Sequence, residues 1–208
     1  WSVTGVQTCA LPIWLESFND ELLADTQFGR MQEVSVHGAG GDAVQMWLTF
    51  PPGVKPDAKS KKKHPLLHVI HGGPYAAAGD TFGYRWNPQL LASKGHVVAQ
   101  VNFHGSSGFG FAFRSSIAGR LGELELKDLE AATAWLVKQP WADASRVHAS
   151  GGSYGGYLVA WMNGHWAPWP QGPIRSYVCH AGVFDRVATW SADSYTQRHK
   201  DLGATYWA

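Results

Sequence analysis

Gly151-Gly152-Ser153-Tyr154-Gly155-Gly156 is the most informative segment of this 208-residue chain. It contains the pattern Gly-x-Ser-x-Gly, with a short predicted strand at residues 146–150 before it and a mostly apolar predicted helix at 154–164 after it. A sharp strand-to-helix turn holds its serine in a strained backbone conformation that raises the hydroxyl above the sheet. The stretch therefore predicts a nucleophile elbow with Ser153 at its tip.

The residues on either side of the serine have their own roles in such an elbow. Gly151 and Gly155 must lack side chains so that the strand and the helix can approach closely. The helix that begins at Tyr154 directs the positive end of its dipole toward a developing negative charge. The backbone N–H of Tyr154 is therefore a candidate donor to an oxyanion.

A second glycine-rich turn, His71-Gly72-Gly73-Pro74, follows the predicted strand at residues 66–70. This strand is the third predicted one, and a fold with a nucleophile elbow carries its second oxyanion donor in the loop after it. The N–H groups of Gly73 and Tyr154 would then bind a tetrahedral intermediate together, and one such donor contributes about 3 kcal/mol of transition-state stabilisation. The alternative is that both segments are ordinary glycine turns.

Strand and helix signals alternate along most of the chain. A hairpin is predicted first, with strands at residues 31–37 and 43–50, and the later strands are separated by helices. This alternation is typical of an α/β fold with a mostly parallel, doubly wound sheet, and the elbow makes it an α/β-hydrolase fold. The later predicted strands cover residues 66–70, 96–103, 146–150 and 176–181, and the predicted helices cover 84–93, 123–139 and 154–164.

Four segments carry a family resemblance: His71-Gly72-Gly73-Pro74, Arg85-Trp86-Asn87, residues 102–110 and residues 151–157. With them the chain resembles the catalytic domain of the prolyl oligopeptidase family of serine peptidases, especially its acylaminoacyl-peptidase and dipeptidyl-peptidase branches. The resemblance implies a serine-type peptidase that hydrolyses short peptides through an acyl-enzyme on Ser153, without a cofactor. It implies backbone oxyanion donors at Tyr154 and Gly73, although other branches use a tyrosine hydroxyl near the position of His71.

A catalytic serine needs a base, and the base needs a carboxylate to orient it. In an α/β-hydrolase the acid and then the base follow the serine along the chain. Asp185 and His199 would keep this order. In the family that the chain resembles, however, the acid follows the next strand of the sheet and the base follows the strand after that. We therefore expect a sheet truncated before its last strands, an acid and a base beyond residue 208, and a chain that is inactive alone. The candidates within the chain are Asp185, Asp193, Asp201, His165, His180 and His199.

The two ends of the chain are expected to differ from the rest. Residues 1–13 are predicted to be foreign to the fold, because residues 3–13 resemble the translation of a sequencing-adapter oligonucleotide. A signal peptide is the alternative, although no Lys or Arg precedes the apolar stretch. Residues 14–27 are predicted to form a linker or short helix, and residues 28–208 a partial hydrolase domain. The resemblance also implies a β-propeller domain in the intact parent protein.

Composition argues against several other classes of protein. Lys and Arg number 17 against 16 Asp and Glu, so nucleic-acid binding through bulk charge is not expected. No apolar run approaches the ~20 residues of a membrane-spanning helix, so no membrane association is predicted. Two cysteines exclude a disulfide framework. We predict no metal site, because His64, His68 and His71 have no carboxylate near them in the sequence. Asp128 and Glu130 are interpreted as solvated or capping charges on the helix at 123–139.

Two other functions remain open from the sequence. An esterase or lipase-like acyl hydrolase would share the elbow, so only the four family-like segments separate it from a peptidase. A non-catalytic, hydrolase-like binding domain would keep the fold without the reaction. The sequence does not predict a cellular compartment.

Overall fold

A six-stranded sheet organises the chain in a computed structural model that describes residues 19–56, 62–165 and 174–183, together with Asp185, Ala188 and Gly203. The strands in these residues are β1 (Met31–His37), β2 (Ala43–Thr49), β3 (His64–Ile70), β4 (Val97–Asn102), β5 (Ala142–Gly152) and β6 (Ser176–His180). The helices are α1 (Asp20–Leu23), α2 (Pro88–Ala92), α3 (Phe111–Ser115), α4 (Glu123–Leu136) and α5 (Tyr154–His165), and a 3₁₀ turn spans Ala39–Gly41.

The strands lie in the order β1-β2-β4-β3-β5-β6. β1 and β2 form the predicted antiparallel hairpin, and β2 is also antiparallel to β4. The neighbours from β4 through β3 and β5 to β6 are all parallel. Parallel neighbours need crossover connections, and these contain α2, α4 and α5. The predicted mostly parallel sheet is confirmed.

Side chains on the two faces of the sheet enter separate apolar clusters, because successive residues of a strand point to opposite faces. On one face, Leu66 and Ile70 of β3 lie in the main core with the apolar sides of α4 and α5. On the other face, Val69 of β3 packs with Val98 of β4 and Ala92 of α2. Helices therefore cover both faces, as the doubly wound prediction requires.

The bounds of some elements differ from the predicted ones. β5 begins at Ala142 rather than at residue 146, because Ala142 pairs with His64 at the start of β3. α2 begins at Pro88 rather than at residue 84, because the Asn87 side chain caps the helix there. α3 was not predicted, since five residues are too few for a clear periodic pattern. α1 lies in the predicted linker or helix, and residues 1–18 are outside the described residues.

Asp128 of α4 is fully buried, so its interpretation as a solvated or capping charge is wrong. Its Oδ1 accepts a hydrogen bond from the N–H of Ala39 at 2.8 Å. Its Oδ2 accepts from the N–H and from the ring Nδ1 of His104, each at 2.7 Å. Burial raises the pKa of Asp128, and the hydrogen bonds from His104 and Ala39 oppose that rise. The carboxylate therefore joins α4 to the turn after β1 and to the loop after β4.

We predict that Asp128→Ala lowers the free energy of unfolding by about 3–5 kcal/mol, because it leaves the buried donors of His104 and Ala39 without an acceptor. Asp42→Ala is the matched control. The Asp42 carboxylate lies 3.2 Å from Nε2 of the same His104, but its side chain is 66% exposed. Its loss should cost under about 1 kcal/mol. Urea unfolding measures both changes, and equal effects would contradict the prediction.

His68 of β3 is a buried, uncharged histidine. The hydroxyl of Thr133 donates to the carbonyl of Leu129 at 2.7 Å, so it accepts from His68 Nε2 at 2.8 Å. His68 Nδ1 has no hydrogen-bond partner within the described residues. Burial lowers the pKa of His68 from 6.5 to about 4. The native fold therefore requires the neutral ring.

We predict that acid destabilises the chain partly through His68. The unfolded chain binds this proton near pH 6.5 and the native chain only near pH 4, so the free energy of unfolding falls as the pH drops from 7 to 4. His68 accounts for about 3 kcal/mol of this fall in the free energy of unfolding. In His68→Leu, the free energy of unfolding measured with urea should fall by about 3 kcal/mol less between pH 7 and pH 4 than in the wild-type protein. An equal fall in both proteins would show that His68 is not responsible.

Candidate active site

Ser153 lies between β5 and α5, at the carboxyl end of β5. Its φ is 58°, a left-handed conformation that is uncommon for a residue other than glycine and that stores strain. Its N–H donates to the carbonyl of His180 at 3.0 Å, and its carbonyl accepts from the N–H of Tyr157 at 3.0 Å. Ser153 is exposed. The turn therefore presents this hydroxyl to solvent at the edge of the sheet.

Three glycines of the elbow lie where any side chain would collide with backbone. A Cβ on Gly151 would be 2.4 Å from the carbonyl oxygen of Gly155, and a Cβ on Gly155 would be 2.1 Å from that of Ile70. A Cβ on Gly156 would be 2.8 Å from the Cα of Gly182. The close packing of α5 on the ends of β3 and β5 needs glycine at positions 151 and 155, and its packing on the residues after β6 needs glycine at position 156.

The turn at residues 71–74 lies beside the elbow because β3 and β5 are parallel neighbours. Their register pairs Ile70 with Gly151, so both chains leave the sheet at the same edge. A Cβ on Gly72 would be 3.3 Å from the Cβ and 3.8 Å from the Oγ of Ser153. The next residue, Gly73, has a φ of 119°. Sheet pairing thus brings the two predicted glycine-rich turns into one site.

His71 holds this turn through both of its ring nitrogens. Nδ1 lies 2.9 Å from the Gly72 carbonyl oxygen, and Nε2 lies 2.9 Å from Ser106 Oγ. A carbonyl only accepts, so Nδ1 carries the proton, and burial lowers the pKa of His71, so Nε2 accepts from the Ser106 hydroxyl. The ring also stacks on Phe103 at 4.3 Å between centroids. Since C=O and N–H point in opposite directions in a trans peptide, the held Gly72 carbonyl directs the Gly73 N–H away from His71.

Tyr154 is the first residue of α5, and its side chain ties that helix to α4. Its hydroxyl donates to Oε1 of Glu125, while Oε2 of Glu125 accepts the N–H of Gly122 at 3.0 Å. Glu125 is fully buried, and burial raises its pKa against the opposing hydrogen bond from Tyr154. The backbone N–H of Tyr154 lies at the end of α5 that favours negative charge.

Ser153 Oγ forms no hydrogen bond with a basic side chain in the part of the chain that the structure describes. His71 is engaged by the Gly72 carbonyl and by Ser106. The Oδ1 of Asp185 accepts the N–H of Ala188 at 2.9 Å, which is a local contact. His199, Asp193 and Asp201 lie outside the described residues, so the pairing of Asp185 with His199 stays untested.

Two side chains beside the elbow were not predicted as part of the site. Trp86 places its indole against Gly152, where a Cβ would be 2.5 Å from Cζ2 of the ring. Ser106 reaches His71 across 35 residues of sequence. No local pattern links residues that are so far apart along the chain. The sequence signal was their place in two of the segments that carry the family resemblance, 85–87 and 102–110.

The described residues show two absences. No group of three or more His, Cys, Asp or Glu side chains among them is placed to hold a metal ion. No helix in the same part of the chain combines the length and the apolar character that crossing a bilayer requires.

Comparison with known proteins places the chain in a family. The model of the prolyl oligopeptidase family matches residues 82–207, which is more than half of the chain. Dipeptidyl-peptidase 5 of Schizosaccharomyces pombe is 34% identical over 93% of this chain and 28% of its own length. Dipeptidyl-peptidase 5 of Porphyromonas gingivalis is 30% identical over 80% of this chain and 23% of its own length. The chain thus spans about a quarter of the length of these curated relatives.

Solved structures show the same fold. The acylaminoacyl peptidase of Pyrococcus horikoshii has a TM-score of 0.78 to 91% of this chain, with 30% of that chain covered and 21% identity. Dipeptidyl peptidase 4 of Porphyromonas gingivalis has a TM-score of 0.58 to 66% of this chain, with 19% of that chain covered and 29% identity. These neighbours confirm the predicted α/β-hydrolase fold. The family match confirms the resemblance, and the chain belongs to the prolyl oligopeptidase family.

Proposed function

We propose that Ser153 is the nucleophile of a serine peptidase that cleaves short peptides through an acyl-enzyme. The observation that carries this proposal is an exposed serine held at a φ of 58°, with the turn that contains Gly73 packed against it. Strained non-glycine residues cluster at functional sites. The relatives named dipeptidyl-peptidase 5 support peptides as the substrate class.

In the proposed reaction, Ser153 Oγ attacks the carbonyl carbon of the scissile peptide bond and gives its proton to a base. The carbonyl oxygen becomes an anion that accepts hydrogen bonds from the N–H groups of Gly73 and Tyr154. Collapse of the tetrahedral intermediate breaks the C–N bond, and the proton on the base leaves with the amine. Water then attacks the acyl-enzyme by the same route and releases Ser153.

The two proposed donors are held by different parts of the fold. The side chain of Tyr154 is anchored on the buried Glu125, which holds the start of α5 in place. The Gly73 N–H is directed by His71, which holds the preceding carbonyl. Donors that are fixed before the substrate arrives need no reorganisation in the transition state. The arrangement therefore suits stabilisation of an oxyanion next to Ser153.

The base and its orienting acid are proposed to be a histidine and an aspartate of the intact protein, outside the described residues. The hydrogen bonds of His71 and the local contact of Asp185 support this assignment. The length of the curated relatives also supports it, because this chain covers 28% and 23% of those two proteins. A β-propeller domain in the intact protein belongs to the same proposal.

We predict that a fluorophosphonate probe labels the full-length protein at Ser153, because such probes react with an activated serine hydroxyl. Ser153→Ala should abolish both the labelling and the hydrolysis of a dipeptidyl amide. Ser150→Ala is the matched control, since its hydroxyl makes only a 3.3 Å hydrogen bond to the His68 carbonyl. Mass spectrometry of the labelled protein locates the adduct. Labelling that persists in Ser153→Ala would refute the assignment, and hydrolysis of esters without amides would identify an esterase.

We predict that His71→Ala lowers kcat for amide hydrolysis about tenfold or more and leaves KM nearly unchanged. Without the ring, the Gly73 N–H is no longer directed at the oxyanion, and one such donor is worth about 10²–10³ in kcat. His71→Asn keeps an N–H near the position of Nδ1 and should recover most of kcat. Steady-state kinetics of the full-length protein, with melting curves, measure both. Equal losses in the two variants would contradict this positioning role.

A further inference from the structure

Trp86 lies next to Gly152, the residue before the proposed nucleophile. It belongs to the loop before α2, and its indole packs on Gly152, the residue that precedes Ser153. A Cβ on Gly152 would be 2.5 Å from Cζ2 and 3.1 Å from Cε2 of the ring. The indole therefore occupies the space in which Gly152 would otherwise carry a side chain.

The backbone of Trp86 is strained. Its φ is 55°, a conformation that is a genuine outlier for a bulky residue other than glycine. Such strain persists where the neighbours determine the geometry. Asn87 is fixed because its Oδ1 accepts the N–H of Gln89 at 2.8 Å. The Gln89 side chain is in turn held by both backbone groups of Gly29, at 2.8 and 3.0 Å. The loop thus enters α2 in one defined position and aims the indole at the elbow.

The contacts of the indole leave part of it open. Its ring meets the ring of His180 edge to face, at 5.5 Å between centroids and an interplanar angle of 76°. His180 is exposed, and Trp86 is still 39% exposed. Packing on Gly152 alone would not require a strained backbone and an uncovered aromatic surface at the same place. A flat apolar surface next to an exposed hydroxyl suits an apolar or aromatic side chain of a bound molecule.

We propose that Trp86 is a specificity-determining residue, whose indole contacts the apolar side chain that flanks the scissile bond of the substrate. This inference rests on the proposed function of Ser153. It assigns to the enzyme a preference for an apolar over a small side chain at that position. The side chain belongs either to the acyl half or to the leaving half of the peptide, and the test distinguishes the two.

The test uses the full-length protein and two pairs of peptide substrates. One pair carries Phe or Gly on the acyl side of the scissile bond with a constant leaving group, and the other carries Phe or Gly on the leaving side with a constant acyl group. Trp86→Ala should lower kcat/KM for the Phe member of one pair about tenfold or more. The Gly member should change less than about threefold. Trp86→Phe, which keeps an aromatic ring, should retain most of the discrimination.

Tyr84→Ala is the matched control, because Tyr84 lies in the same loop and is 96% exposed. It should leave the ratio of kcat/KM values unchanged in both pairs. Trp86→Gly is a further variant, because glycine relieves the positive φ and keeps the loop foldable. A merely structural role of Trp86 would lower kcat/KM equally for the Phe and Gly substrates, and that result would overturn the inference.

Failure of this inference and failure of the proposed function give different results. If the fluorophosphonate probe labels Ser153 but Trp86→Ala and Trp86→Gly leave the Phe/Gly ratios of both pairs unchanged, the inference is wrong and the proposed function stands. If Ser153 is not labelled in the wild-type protein, the proposed function fails and the inference fails with it. A lower Phe/Gly ratio of kcat/KM in one pair, measured in Trp86→Ala, supports the inference and identifies the half of the peptide that Trp86 contacts.

Discussion

Ile70, at the end of β3, pairs in parallel register with Gly151, near the end of β5. From this level of the sheet the two strands continue into the turn at residues 71–74 and into the elbow. Helix α5 then packs so closely over both that a Cβ on Gly155 would be 2.1 Å from the carbonyl oxygen of Ile70. The same packing leaves Ser153 at a φ of 58° and exposed. A side chain at Gly151 or Gly155 would push the helix away, and the relation between the two turns would be lost.

Two buried carboxylates of α4 connect this site to the rest of the fold. Glu125 and Asp128 are three residues apart and therefore lie on one side of the helix. Glu125 accepts the hydroxyl of Tyr154 at the start of α5, and Asp128 accepts two donors from His104 in the loop after β4. Burial of a carboxylate is costly unless donors surround it. Helix α4 is thereby fixed both to the elbow and to the loop after β4.

The surroundings of Ser153 are asymmetric. On one side lies the turn that His71 holds through hydrogen bonds to Gly72 and Ser106. On another side lies the indole of Trp86, which is apolar and partly exposed. Under the proposed function, the first side would supply backbone donors to the charge that develops on the carbonyl oxygen, and the second side would contact a side chain of the substrate.

Most of the strands and longer helices, and the elbow, could be predicted from the sequence because they depend on local patterns: alternating strand and helix signals, turn glycines, and Gly-x-Ser-x-Gly between a strand and a helix. The sequence also placed Gly73 in the turn after the strand that the structure shows as β3. Tertiary packing, by contrast, buries Asp128 against His104, brings His71 to Ser106 and places Trp86 on Gly152. Each of these contacts joins segments that are distant along the chain, and their partners are chosen by how the helices and loops pack on the sheet. The local periodicity of a sequence does not predict that packing.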